Sequence, residues 1–170
     1  MEGILGRIMA TVLGLIALGG VILLMGTAND SSRISQTGQD MGTLATNVRS
    51  QFQQSSTLYQ NFTTANQAAL ISAGVIPPDM VKAGAVVDAW NDAVALAPAT
   101  PAGMAANSAF TITVGGASLT AQSCAKVVTS LTGYLSLVVG GQTFNQANLP
   151  DPTTAAAGCG TSTTITLTYM

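Results

Sequence analysis

Only two side chains in this sequence carry thiol chemistry, Cys124 and Cys159, and no histidine is present to act with them. Such a pair can form a disulfide, a zinc site or a dithiol redox centre. Two cysteines without histidine make a poor zinc site, and the CxxC spacing of a redox pair is absent. In an oxidising compartment a bridge is the expected outcome. It would close a loop of about 35 residues, which the chain-entropy account values at roughly 4 kcal/mol.

Without an imidazole, most serine, cysteine and zinc mechanisms lose their base, relay or ligand. The Gly-Gly pairs at 115 and 140 lack the following Lys of a phosphate loop and the spacing of a dinucleotide fingerprint. Asp88, Asn91 and Asp92 stand three and four apart and form the one oxygen-rich cluster. Calcium needs more oxygen ligands than these three offer, so a solvated polar turn is the simpler reading. The chain is therefore read as not an enzyme, with no cofactor and no metal. Two Asn-x-Ser/Thr matches, at Asn29 and Asn61, are too short a pattern to carry weight.

Charge is scarce: 7% of the 170 residues are charged and the net charge is −2. There is no basic footprint with which to neutralise phosphates, so nucleic-acid binding is not expected. A surface built from Ser, Thr, Asn, Gln, Ala and Gly repels its own copies weakly, which favours self-association.

These residues must be positioned by a chain whose dominant stretch is Ile8 to Asn29, 22 residues with no ionisable side chain. At about 1.5 Å per residue it makes about 33 Å of helix, enough to cross a bilayer core of about 30 Å. Arg7 before it and Gly26-Thr27-Ala28 at its end also fit a cleaved signal. Retention in the mature chain is the expectation carried forward. Gly3, Gly6, Ala10, Gly14, Ala17 and Gly20 recur three or four apart, and a stripe of small residues lets another helix approach closely. Glycine is also common in membrane spans generally, and it loosens a helix exposed to water.

After Asn29 the composition turns polar, but no proline appears before Pro77. Ile34, Met41, Leu44, Val48, Phe52, Tyr59 and Phe62 keep helical spacing. One continuous helix from near residue 3 to about residue 54 is expected, roughly 75 Å long. It is apolar all round in its first half and striped in its second. The expected division is residues 1–29 as an apolar helix and residues 30–170 as one globular domain that includes the striped half.

Downstream, a short helix is expected from Asn66 to Ala73 and another from Asp79 to Val87 or Trp90, with Asp79 as its cap. A loop with one strand near 93–97 follows, and Trp90 is expected to anchor it. Residues 108–114 alternate as a strand, 119–131 form an apolar helical face, and 134–139 read as a strand ending at Gly140-Gly141. Ala147 to Gly160, with Pro150 and Pro152, reads as a loop carrying Cys159, and 163–169 as the closing strand. The expected class is α+β, a long N-terminal helix packed on a small antiparallel sheet.

SAFTITVGG at 108–116 followed by LTAQSCAKVVTSL at 119–131 resembles the type IVb pilins, including the pilins of conjugative thin pili. The charge-free start, the striped continuation and the late second cysteine follow in the same order. The resemblance implies a leader removed by a prepilin peptidase, with Met1 as the processed and N-methylated residue. It implies storage in the inner membrane with a periplasmic domain, then extrusion by the pilus assembly machinery into a homopolymeric helical filament on a Gram-negative surface. Cys124 and Cys159 match the pair that closes the family's C-terminal disulfide region. Glu2, Arg7, Gly14 and Gly20 would belong to the filament core. One departure stands out: the family's glutamate at mature position 5 is replaced by Leu5, and Glu2 is the candidate to take its place. The same helix would also serve a membrane-anchored pseudopilin or minor pilin of a secretion system.

Overall fold

The computed structural model describes residues 29–170. The chain divides into two units, Met1–Arg33 and Ile34–Met170. Met1, Glu2, Leu5, Arg7, Gly14 and Gly20, and the apolar run up to residue 28, lie outside the described residues. Among the described residues no helix is long and apolar enough to cross a membrane.

Residues 29–52 are helical and form α1. The stripe expected on it is present: Met41, Leu44 and Val48 are buried, and Ile34 and Phe52 are partly so, against one continuous core. The helix ends at 52, and a 3-10 turn at Leu58–Asn61 carries the stripe on through buried Tyr59 to Phe62. Phe62 and Tyr59 meet the ring of Phe110 at centroid distances of 5.2 and 4.8 Å, which joins this segment to the sheet. The second helix, α2 (Gln67–Ser72), stops at Gly74, whose φ of +71° suits a residue without Cβ.

The helix expected to follow Asp79 is not formed. Pro78–Met80 makes a single 3-10 turn, and β1 (Val81–Lys82) then pairs with β2 (Ala85–Val86). The two linking residues, Ala83 and Gly84, both have positive φ, the geometry of a tight hairpin turn. Two-residue strands are too short to show an alternating pattern, so the period of this segment was illegible.

Five strands make the main sheet: β3 (Ala95–Ala99), β4 (Ala109–Val114), β5 (Ser136–Val139), β6 (Gln142–Asn145) and β7 (Ile165–Tyr169). Every neighbour is antiparallel, in the order β3-β4-β7-β5-β6. The register sets Phe110 opposite Tyr169, Ile112 opposite Leu167 and Val114 opposite Ile165, all buried. Their alternating partners Thr111, Thr113, Thr166 and Thr168 occupy the other face and are half-buried. At the β3 edge, Thr64 Oγ1 accepts from Leu96 N at 2.8 Å and donates to Leu96 O at 3.2 Å, and Pro98 removes a donor. This blunts an edge that would otherwise invite another strand.

Two helices complete the unit. Thr120 caps α3 (Ala121–Ser130) by accepting from Ser123 N. Asp151 caps α4 (Pro152–Thr161) in a reciprocal box with Thr154. This corrects the loop expected at 147–160. Pro152 is the first residue of a helix and not a breaker, because the first turn has no partner for its missing N–H anyway. The expected fold class stands: a long helix packed on a small antiparallel sheet.

Candidate functional site

The described chemistry concentrates in three places held by these elements. The first is the covalent one. Cys124 on α3 and Cys159 on α4 are joined by a disulfide, with Cα atoms 5.9 Å apart and both side chains buried. Ala155, four residues before Cys159 on α4, is buried in the same core, so the bridge fastens α3 to α4 at their inner faces. The approach of α4 to the sheet is equally tight. A Cβ built on Gly140, in the turn between β5 and β6, would lie 2.0 Å from Gly158 O. One built on Gly158 would lie 2.8 Å from Val139 O. Glycine is required at this contact because backbone touches backbone.

The second is the acidic cluster at 88–92. Asp88 is 5% exposed and lies in no helix, so its spacing to Asn91 and Asp92 does not define a helix face. Its Oδ1 accepts from Trp90 N at 2.9 Å and from Asp92 N at 3.0 Å, and its Oδ2 accepts from Gly115 N at 2.9 Å. Asp92 Oδ2 accepts from Ser118 N at 3.1 Å. The two carboxylates therefore bind backbone and fasten the 88–92 turn to the turn after β4. Burial pushes the Asp88 carboxyl above its ordinary range, opposed by the three N–H donors. Asn91 points away and accepts from Lys82 Nζ. Buried Trp90 anchors this loop. Among the described residues no group of three such side chains is placed to hold a metal ion.

The third is a clasp between α1 and β7. Arg49 Nε donates to the carbonyl of Met170, Nη2 reaches Gly133 O at 3.4 Å, and the guanidinium lies 5.6 Å from the centre of the Tyr169 ring. Burial pushes the Tyr169 hydroxyl up to about 12, partly opposed by the Arg49 charge. Nothing in the spacing of Arg49 pointed to this contact, since its partners lie 121 and 84 residues away.

None of these three arrangements offers a nucleophile beside a base; each fastens one element to another. A helix, a sheet and a disulfide-joined helix pair, welded by such contacts, make a rigid building block. The family profile described as PilS N terminal matches residues 31–170. The chain belongs to this family. No curated protein matches it. Among solved structures, the PilS-family chain is similar to TcpA, a type IV pilin from Vibrio cholerae El Tor biotype. That likeness has a TM-score of 0.57 at 18% identity and covers 81% of this chain and 98% of that one. It is likewise similar to a type IV b pilin from Salmonella typhi, with a TM-score of 0.54 at 21% identity over 82% of this chain and 97% of that one. At these identities the likeness establishes the fold, and the PilS match establishes the family. The chain has the fold of the type IV pilins. For this pilin the disulfide is the one site expected from the sequence that the described residues contain.

Proposed function

We propose that this pilin is the major structural subunit of a type IVb pilus, polymerising through its N-terminal helix into a surface filament. The observation that carries the reading is the family match over 31–170, continuous with a 22-residue stretch before it that has no ionisable side chain. A segment of that composition suits lipid first and the packed interior of a filament afterwards. The low charge of the chain supports close packing of copies. The role is structural and not enzymatic.

On this reading residues 1–29 form the membrane and filament-core helix and residues 30–170 form the globular wall. A prepilin peptidase exposes Met1, which is then methylated. The subunit waits in the inner membrane with its domain in the periplasm until the assembly machinery extrudes it. Gly14 and Gly20 permit close helix contact in the core. Glu2 neutralises a neighbour's terminal amine in place of the acid missing at Leu5, with Arg7 as a further partner, since a buried charge without a partner is costly. The filament serves adhesion, aggregation or the stabilisation of mating pairs.

The test is negative-stain electron microscopy of material sheared from cells that express the chain with its own assembly machinery. Long thin filaments whose mass spectrum contains this polypeptide are expected, with yield lost in Glu2→Gln. Intact protein held in the inner membrane without filaments would overturn the reading in favour of a pseudopilin.

A further inference from the structure

Where the end of α1 meets α2 there is a cleft of about 440 Å³, within the range of small-molecule sites. Its walls include Gln51, Phe52, Asn61, Asn66, Leu70 and Val75, and no charged side chain lines it. Two of the amides are held in place. Gln51 Nε2 donates to Ala73 O at 3.2 Å, and Asn66 Nδ2 donates to Asn61 O at 3.0 Å. Tying down the nitrogens fixes the orientation of the amide oxygens, which remain acceptors. Phe52 is fixed as well, with Tyr59 and Phe62 each 6.1 Å from its ring centre.

This combination selects a ligand class. An anion would find no cation here, and a cation would find no carboxylate. A wholly apolar ligand would strip water from the amides and give them no partner, which is costly. A neutral sugar has hydroxyl donors around its rim and C–H groups on its faces, and it satisfies both kinds of wall. We propose that this cleft is a binding site for a neutral saccharide. The Gln51 and Asn66 amide oxygens accept from sugar hydroxyls, and half-buried Phe52 and exposed Ala69 meet one face of a sugar ring, with buried Leu70 and Val75 as the floor beneath them. The Gln51 and Asn66 amides are each held by one hydrogen bond before the ligand arrives, which lowers the ordering that opposes binding. The inference goes beyond filament formation and does not depend on it.

The test uses the full-length chain, labelled with ¹⁵N, in detergent micelles. Lactose, maltotriose and chitotriose are titrated separately, with capped trialanine as a neutral peptide probe. At least one saccharide should shift the side-chain amide signals of Gln51 and Asn66, with a Kd on the order of 1 mM. Gln51→Ala, and separately Asn66→Ala, should weaken that binding at least about tenfold with Trp90 emission and the disulfide unchanged. No shift with any of the three sugars would overturn the proposal. So would binding that both variants retain, or shifts with the peptide alone.

Discussion

Asp40, buried on α1, and Asp79, exposed in the turn that opens with Pro78, are joined by a side-chain hydrogen bond. Two acids can share a hydrogen bond only if one of them keeps its proton. Burial, then the Asp79 charge, then that hydrogen bond raise the Asp40 carboxyl to about 6. The folded chain thus holds a proton that the unfolded chain releases near its ordinary value of 3.8. Stability is greatest below that value, falls as pH rises towards 6, and is flat above it. Asp40→Asn should remove this slope and raise Tm at pH 7.5 by roughly 2–4 °C, for a screened effect on the order of 1 kcal/mol. Thermal unfolding followed by circular dichroism at pH 4.5 and 7.5 checks it; an unchanged slope would refute the shared proton.

Removing the bridge between α3 and α4 should cost roughly 4 kcal/mol, because the unfolded chain regains the freedom of a 35-residue loop. The double change Cys124→Ser and Cys159→Ser should lower the urea midpoint accordingly, and dithiothreitol should do the same to the unaltered chain. Equal midpoints with and without the bridge would count against a stabilising role.

Asp88→Ala leaves three N–H groups, those of buried Trp90 and half-buried Asp92 and Gly115, without their acceptor. A loss of about 3 kcal/mol is expected. Hydrogen exchange at Gly115 should accelerate and Trp90 emission should shift to the red as the 88–92 turn loosens. If the Gly115 amide stays protected, the carboxylate is not what holds the two turns together.

Gly140 and Gly141 offer an internal control. Both have positive φ, but only at Gly140 would a Cβ meet backbone, at 2.0 Å from Gly158 O. Gly141→Ala should cost about 1 kcal/mol, the price of a side chain in that conformation. Gly140→Ala should cost several times more, because α4 must move away from the β5–β6 turn. Chemical denaturation of both variants decides it, and similar midpoints would mean that α4 is free to shift.

The elements with a strong period were readable in advance: the stripe from Ile34 to Phe62, the alternation at 108–114 and 163–169, and the helix with Cys124. The Gly140-Gly141 pair marked the end of β5, but the Gln142–Asn145 strand beyond it, exposed except at Phe144, had too little apolar content to stand out. At α4 the run Ala155-Ala156-Ala157-Gly158 has no apolar stripe, and Pro152 and Gly160 imitated a loop. Gly115, which donates to Asp88 from 27 residues away, and the partners of Arg49 are distant in sequence, and local spacing cannot reveal them. The disulfide was legible because only two cysteines exist to pair.

β7 lies between β4 and β5, although it is made after both. Until residues 165–169 have emerged, the strands of the main sheet can form only two separate hairpins, β3–β4 and β5–β6, with nothing to bridge them. Contacts such as Thr113 with Thr166 span 53 residues and must wait for that last segment. Such long-range closure is slow. A subunit interrupted before residue 165 would have half-sheets with open edges at β4 and β5, which invite pairing with other chains until the last segment covers both.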